Sequence, residues 1–492
     1  MAKKRISRKH KKNNKKIETY SPHATLCAMS PVIDDKEIFE PIHQVVQIPQ
    51  KTLIYRPTDK LIFLTLGIIS GSETVYDLNQ EFRVDKPLLK AFGYKRCADQ
   101  SVIQQTLNAA TEENIKQLEE ALKKIWDKNN LTVSLLENAQ KSGSIVTIDI
   151  DLSGQRASKK AEKSTKGYFA KAKNAYGRQL ARVLVPETQE IVVESLYPGN
   201  TLSLAVFKEM VMKMEGHLGL TDKSHGSMIR LRLDAGFGTD ENINYALWRG
   251  YHLLVKIFSG KRAKALSKSV NEWVDVPSGA DNTPRQAGWV LSAHRYSRKT
   301  KQLCVRTPKK KGGYKYSVLV STDLSSDLLT MVTDYDGRSG VPESSFCQDS
   351  QGLKNRKRRK RGFIAQQVLT LINQLAHNMI RWMQSWLIES VEGSIPEALP
   401  SDDTVIPKEI PECQNTQKEP VTESVLVIKS LKERGMKRFM NQILSITGRV
   451  EMKGQRIMKV ILNPLYPIIN RIKIAFRALL KPYGIAVSLD KS

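Results

Sequence analysis

The stretch MIRLRLDAGFGTDENINYALWRGYHLLVKI, residues 228–257, decides how the central part of this chain folds. Its first residues alternate between apolar and charged side chains, which predicts a β-strand. Asp234 and the glycines after it end the strand, Thr239 or Asp240 begins a helix, and YHLLVKI predicts the next strand. We therefore expect Asp234 at the carboxyl end of a strand, the edge where open α/β sheets bind ligands. The alternative is a plain turn residue, since Asp bonds the local backbone in many turns.

A second predicted strand carries two more carboxylates. In SGSIVTIDIDLSGQ, residues 142–155, Asp149 and Asp151 are two positions apart, so both point to the same face. Like charges this close repel each other, and a divalent metal ion is a common reason for such a pair. The alternative is an edge strand with a solvated acidic face.

The composition indicates a polyanionic partner. The chain has 492 residues, of which 40% are apolar, so it can form two to four domains with hydrophobic cores. Its formal net charge is +28, and basic residues cluster in AKKRISRKHKKNNKK, KNRKRRKR and RTPKKKGGYK. A charge of this size favours nucleic acid as the partner. Each basic run alone is also compatible with a solvated flexible segment.

The cysteines and the apolar segments indicate the cellular compartment of the protein. The five cysteines are scattered without zinc spacing, and their odd number is poor for a disulfide framework, which suggests a reducing compartment. The basic start is not followed by an apolar core, so we expect no signal peptide. The long apolar segment near residue 370 carries Gln, Asn, His and Arg, which predicts a buried or half-buried helix. We expect a cytoplasmic protein without a membrane partner.

Changes in composition and periodicity predict the organisation along the chain. The predicted segments are a basic disordered tail (1–20), a mainly helical DNA-binding region (21–140), the first part of an α/β core (141–265), a β-rich insertion (266–328), the second part of the core (329–390), an acidic linker (391–423) and a basic helical tail (424–492). The core should contain three meander strands, a helix, a strand, a helix and a strand. Two short helices near residues 87–110 are either a helix-turn-helix reader of the major groove or a plain helical hairpin.

A third acid lies in TDYDGRSGVPESSFCQDSQGL, residues 333–353, where Tyr335, Arg338 and Glu343 precede a helical stretch. With this segment the chain resembles bacterial insertion-sequence transposases that carry a DDE catalytic triad on an RNase H-like fold. The resemblance spans roughly residues 85–390 and rests on the order of motifs. These are an Asp on each of two strands, a β-rich insertion, then Tyr-x-x-Arg and a Glu that opens a helix. The segments KGYFAKAKNAYGRQL and YDGRSGVPESSF also look like parts of such proteins.

The resemblance implies an RNase H-like mixed sheet flanked by helical N- and C-terminal regions, with two divalent ions, Mg²⁺ or Mn²⁺. Their ligands would be Asp151, Asp234 and Glu343, with Asp149 as an optional further ligand. The family pattern Tyr-x2-Arg-x3-Glu-x6-Lys is not fully kept, because four residues separate Arg338 from Glu343 and Ser350 stands at the Lys position. Lys354 is the candidate substitute. The residues assigned to DNA binding are Tyr335, Arg338, Lys354, Arg356, Lys357, Arg358, Arg359, Lys360 and Arg361.

The implied function is a transposase that cuts the ends of a mobile element and joins them to target DNA by two-metal phosphoryl transfer. The implied partners are double-stranded DNA, at the element ends and the target, and a second copy of the chain on that DNA. The implied location is the bacterial nucleoid. The alternative is a decayed or domesticated, non-catalytic DNA-binding protein on the same scaffold. A nicotinamide enzyme fits poorly, since in DAGFGTD the acid precedes the glycines, whose spacing is wrong for a dinucleotide turn.

Overall fold

The computed structural model describes residues 16–50, 54–169, 172, 174–220, 223–278, 282–340, 342–394 and 420–490. The remaining parts of the predicted basic tail (1–15) and acidic linker (395–419) lie outside the described residues. The chain divides into two compact units. The first contains residues 1–38, 69–100 and 383–492, and the second contains residues 39–68 and 101–382.

The secondary structure of the described residues is as follows. The strands are β1 (Lys16–Ser21), β2 (Val146–Arg156), β3 (Thr165–Lys166), β4 (Tyr176–Val185), β5 (Glu190–Pro198), β6 (Ile229–Leu233), β7 (His252–Lys256), β8 (Val274–Val276), β9 (Arg285–Trp289), β10 (Lys301–Pro308), β11 (Tyr314–Ser321), β12 (Gly448–Lys453), β13 (Arg456–Leu462) and β14 (Ala486–Leu489). The helices are α1 (Ala24–Asp35), α2 (Glu40–Val45), α3 (Pro57–Ile69), α4 (Lys86–Ala91), α5 (Gln100–Ala109), α6 (Glu112–Asn129), α7 (Thr132–Ser142), α8 (Ser203–Leu218), α9 (Asp240–Trp248), α10 (Gly260–Leu266), α11 (Leu328–Gly340), α12 (Pro342–Gln351), α13 (Phe363–Glu392), α14 (Pro420–Lys432), α15 (Met436–Phe439) and α16 (Ile469–Leu480).

One mixed sheet forms the centre of the second unit. Its strand order is β3-β4-β2-β6-β7-β11-β10-β9-β8, and β5 also pairs with β4. β2, β4 and β5 are an antiparallel meander, whereas β6 and β7 run parallel to β2 because α8 and α9 return the chain to the same end of the sheet. The predicted order of meander, helix, strand, helix and strand is confirmed, and with it the mixed α/β class. The RNase H-like assignment stays a prediction.

The segment 266–328, predicted as a β-rich insertion, contributes strands that extend this sheet. β11 pairs antiparallel with β7, and β10, β9 and β8 follow it in order. Leu254 of β7, Leu303 of β10 and Leu319 of β11 pack in one hydrophobic cluster with Met331 and Val332 of α11. The shared cluster places α11 on one face of the sheet.

The long helix α13 supplies hydrogen bonds to the edge of the sheet. The Asn378 side chain accepts a bond from the Ile191 amide and donates one to the Ile191 carbonyl, both at 2.9 Å. Gln374 donates to the Val192 carbonyl at 3.3 Å. An edge strand leaves backbone groups unpaired, so these bonds account for Gln374 and Asn378 in an otherwise buried helix. None of the described helices is long and apolar enough to cross a membrane.

The first unit contains a second sheet, of order β1-β12-β13-β14. β1 pairs with β12 from Lys16 opposite Lys453 to Ser21 opposite Gly448, so residues 16–20 are a strand and not part of a disordered tail. The prediction of a helical segment over 424–492 is wrong for β12, β13 and β14. RVEMKGQRIMKV alternates around a left-handed turn residue, Gly454 with φ +67°, and this alternation is a hairpin signal.

The predicted helical region 21–140 contains α1 to α7. α6 begins with a capping box, in which the Thr111 hydroxyl and the Asn114 side chain each bond the other residue's backbone amide. The boundary between the two units falls at Gln100, the first residue of α5. α4 and all of α5 after its first residue therefore belong to different units, and the choice between a helix-turn-helix and a helical hairpin stays a prediction.

Candidate active site at the carboxyl edge of the sheet

The register of β2 and β6 brings Asp151 level with Asp234. The last paired residues of the two parallel strands are Ile150 and Leu233, and each acid is the next residue along its strand. Neighbouring strands lie about 4.8 Å apart, so the two carboxylates occupy adjacent positions on one face. Asp234 accepts a hydrogen bond from the Gly236 amide at 2.8 Å, which holds the turn that follows the strand.

The two acids are part of a longer row of side chains. The acid row, as we name it, consists of Glu194 of β5, Arg182 of β4, Asp151, Asp234, Lys256 of β7 and Leu319 of β11. Lys256 was not among the predicted site residues. The sequence could have indicated Lys256, because it follows the apolar residues of a predicted strand in the same way as Asp234 does.

Tyr335 and Arg338 reach the acid row from α11. Both lie inside this helix, which the sequence did not predict, and the helical stretch that they were predicted to precede is α12. The apolar residues Met331 and Val332 explain the difference, because they bury this part of the helix against the sheet. Arg338 Nη1 lies 3.7 Å from Asp151 Oδ1. The spacing of three residues places Tyr335 and Arg338 on the same face of the helix.

The charges at the acid row act on one another. Burial tends to lower the pKa of Arg338, but the charges of Asp151, Tyr335 and Asp234 raise it overall. Burial raises the pKa of Tyr335 to about 12, and the charge of Arg338 opposes this shift. Burial also lowers the pKa of Lys256, and Asp234 opposes that change. The site therefore combines two carboxylates with two buried or half-buried cations and a tyrosine, a set that suits a phosphate bound beside a metal ion.

Asp149 lies in a buried ion pair. Its two oxygens accept hydrogen bonds from Arg232 Nε at 2.7 Å and Nη2 at 2.8 Å, and the residue is 1% exposed. Burial raises the pKa of Asp149, and the hydrogen bonds from Arg232 oppose that shift. Arg232 also donates to the Asp334 carbonyl of α11 at 2.7 Å. The structure thus places Asp149 beneath α11, in a pair that holds the helix on the sheet, and not at the open end of the strand.

Arg182 of the acid row holds α12 on the same face of the sheet. Its guanidinium donates to Ser345 and Asp349 of α12 and, at 2.7 Å, to Glu194 Oε1. Asp349 also faces His377 Nδ1 of α13 at 2.7 Å. All of these side chains are buried, so the start of α12 is held close to Asp151, the partner of Arg182 in the sheet.

Glu343 is the second residue of α12, so it lies at the start of a helix as predicted. Its side chain lies outside the described residues. Among the side chains that are described, no group of three or more His, Cys, Asp or Glu has the arrangement needed for a metal ion. The structure therefore brings together two of the three predicted acids and positions the helix that carries the third.

The basic loop, residues 354–361, lies against the end of the β2–β4 hairpin. Arg178 of β4 donates to the Lys360 carbonyl at 3.1 Å and to the Arg361 carbonyl at 2.8 Å. The loop and the end of β2 enclose a cavity of about 330 Å³. Arg156, Arg178, Arg356, Arg358, Arg359 and Lys360 line it with other residues. A cavity this rich in cations suits an anionic ligand.

The predicted DNA-binding residues of this loop differ in exposure. Arg356, Lys357, Arg359 and Arg361 are exposed, whereas Lys354 and Lys360 are half-buried. Arg358 is buried at 2% exposure and donates to the Leu353 carbonyl and, at 3.0 Å, to Asn373. The structure gives Arg358 a role in holding the loop and leaves the exposed side chains for contact with a ligand.

Comparison with known proteins yields structural similarities but no family match. No model of a known protein family matches the chain, and no curated protein matches it significantly. A piggyBac transposase, solved in a synaptic complex with hairpin DNA, is similar over 82% of this chain and 89% of its own chain, with 15% sequence identity and a TM-score of 0.40. A TM-score this low does not establish a shared fold.

Proposed function

We propose that this chain is a DNA transposase that cuts the ends of a mobile element and joins them to target DNA. The observation that carries the proposal is that Asp151 and Asp234 each directly follow the last paired residues, Ile150 and Leu233, of two neighbouring parallel strands. Arg338 lies beside Asp151, and Lys256 likewise follows the last residue of β7 paired with β6. Two carboxylates side by side are repulsive unless a cation lies between them. A cation-binding role explains the pair better than a turn or a solvated edge does.

The residues at this edge fit a divalent ion. Asp151 and Asp234 offer hard oxygen ligands of the kind that Mg²⁺ and Mn²⁺ prefer, and Glu343 is the proposed third ligand. When bound, two such ions supply activation of the attacking oxygen and stabilisation of the leaving oxygen in an in-line displacement. The mechanism needs no Ser or Cys nucleophile, which agrees with the residue types at the site.

Arg338, Tyr335 and Lys256 have the complementary task of binding the phosphate. Arg338 is half-buried beside Asp151, so it is already oriented when DNA arrives and loses little freedom on binding. Tyr335 keeps its proton near neutral pH, because its pKa is raised, so its hydroxyl can donate to a phosphate oxygen. Lys256, on β7, adds positive charge on the side of Asp234 that faces away from Asp151. These groups offset the charge that develops on the phosphate in the transition state.

The test measures DNA cleavage by wild type, Asp151→Asn and Asp234→Ala. The substrate is a labelled duplex containing the DNA that flanks the gene, with Mg²⁺, Mn²⁺ or EDTA. We expect wild type to cut only with a divalent ion, and both variants to lose at least about 100-fold in rate while still binding the duplex. Asp127→Asn, an exposed acid on α6, is the matched control and should cut normally.

Two outcomes would count against the proposal. If Asp234→Ala cuts at the wild-type rate with either ion, Asp234 is a turn residue. If wild type binds the flanking DNA but never cuts it, the chain is better described as the non-catalytic DNA-binding protein that is the alternative reading.

A further inference from the structure

Two β-hairpins extend past the acid row in the same direction. β2 continues for five residues beyond Asp151 and pairs there with the start of β4. β11 runs antiparallel to β2, so its first five residues, 314–318, also lie beyond the acid row. They pair there with residues 304–308 of β10. At about 3.3 Å per residue, each hairpin projects about 16 Å. We name them arm 1 (residues 152–169 and 174–181) and arm 2 (residues 304–318).

Both arms are strongly basic. Arm 2 contains no Asp or Glu, and Glu162 is the single acid in arm 1. The exposed lysines of the two arms are Lys159, Lys160, Lys163 and Lys166 in arm 1, and Lys309, Lys310, Lys311 and Lys315 in arm 2. Positive charges this close repel each other, and a polyanion bound between the arms removes that repulsion.

The spacing of the arms suits a nucleic-acid duplex. Three inter-strand steps separate β2 from β11, which is about 14 Å at the base of the arms, and the twist of the sheet spreads them further. The major groove of B-DNA is about 12 Å wide. Each arm can therefore reach a different phosphate backbone, or separate parts of one, on the two sides of the acid row.

Both arms belong to the side of the sheet that carries the acids. Lys315 of arm 2 lies four residues before Leu319 on β11, so the two side chains share the face that carries the acid row. Arg178 of arm 1 holds the basic loop, residues 354–361, which adds exposed cations to that side. The acids thus lie between two positively charged hairpins of one sheet.

We propose that arm 1 and arm 2 each contact one phosphate backbone of a DNA duplex that lies over both arms, so that one of its strands passes Asp151 and Asp234. The identity of the substrate rests on the proposed function. The arms themselves need neither a metal ion nor cleavage to bind.

The test compares three variants that each remove three exposed lysines, so that all lose the same charge. The first, in arm 1, is Lys159→Gln with Lys160→Gln and Lys166→Gln. The second, in arm 2, is Lys309→Gln with Lys310→Gln and Lys311→Gln. The control, on α14 and α15 and so outside the predicted DNA-binding region, is Lys429→Gln with Lys432→Gln and Lys437→Gln. Binding to a fluorescent 30-base-pair duplex of arbitrary sequence is measured by anisotropy between 50 and 200 mM salt, without divalent ions.

We expect each arm variant to lower the slope of log affinity against log salt concentration by up to about 2.7, since each lost phosphate contact removes about 0.9. The control should keep the wild-type slope, and a variant with both arms changed should show the sum of the two losses. Circular dichroism should be unchanged in all of them, because the substituted side chains are exposed. The proposal is overturned if the arm variants match the control. The binding assay does not require cleavage. Weaker binding by the arm variants therefore supports the proposal even if wild type never cuts DNA.

Discussion

At the scale of single residues, Asp149 and Asp151 show how neighbouring positions on one strand face can have different roles. Asp149 is paired with Arg232 beneath α11, and its side chain is 1% exposed. Asp151 lies two residues further along, where the parallel strand β6 has ended, and its side chain is 13% exposed. The same residue type is thus a buried ion-pair partner at one position and a candidate metal ligand at the next.

This difference predicts that the same substitution changes the stability of the protein at Asp149 but hardly at Asp151. Asp149→Asn should lower the free energy of unfolding by about 3 kcal/mol, because it leaves the buried Arg232 guanidinium without its counter-charge. The measurement is chemical denaturation followed by tryptophan fluorescence. Asp151→Asn is the control and should change stability by less than about 1 kcal/mol. Equal and small losses for the two variants would contradict the structural role of Asp149.

At the scale of secondary-structure elements, the pairing of β5 with α13 shows how a helix can complete a sheet. The Asn378 side chain forms with Ile191 the pair of hydrogen bonds that a neighbouring strand would otherwise supply. A buried backbone amide or carbonyl without a partner is destabilising, and exposed strand edges promote aggregation. α13 therefore both protects the edge and fixes the position of the strand that carries Glu194.

We expect Asn378→Leu to destabilise the protein by about 2–4 kcal/mol, since it leaves two buried backbone groups of Ile191 unpaired while nearly keeping the side-chain volume. Thermal and denaturant unfolding measure the loss. Glu389→Gln, an exposed change on the same helix, should have almost no effect. A loss for Asn378→Leu no larger than that of the control would show that the side-chain bonds contribute little.

At the scale of the whole molecule, the net charge of +28 is distributed over several separate segments. The two arms and the basic loop carry a large part of the basic charge in the second unit. A further eight Lys and Arg residues lie in residues 1–15, directly before β1. Binding to nonspecific DNA should therefore weaken steeply as salt rises, because many phosphates are neutralised.

Deletion of residues 1–15 should lower the salt slope of duplex binding by up to about 7 without abolishing cleavage. The deletion must stop before Lys16, because β1 pairs with β12 and its loss would expose an edge of the sheet in the first unit. A chain in which residues 1–15 are replaced by Gly and Ser of the same length separates charge from length and should behave like the deletion. An unchanged slope would mean that this segment does not touch DNA.

Local patterns in the sequence were enough to predict much of this protein. Period-two alternation predicted β2 and β6, the order of meander strands and helices predicted the mixed sheet, and the position of Asp234 after an apolar run predicted its place at the carboxyl edge. These features depend on neighbouring residues along the chain, so a single sequence contains them. The two candidate acids, Asp151 and Asp234, were found in the same way.

Those local patterns did not predict which distant residues and strands contact each other. Asp149 and Asp151 have the same local signal, and they differ because Arg232, on another strand, bonds the first and not the second. Arg358 looks like its exposed neighbours until Asn373 is placed beside it. The pairing of β11 with β7 joins distant segments into one sheet, and this register sets two basic arms on either side of the acids. Such contacts are set by which surfaces meet when the chain packs, and residue type alone does not encode that.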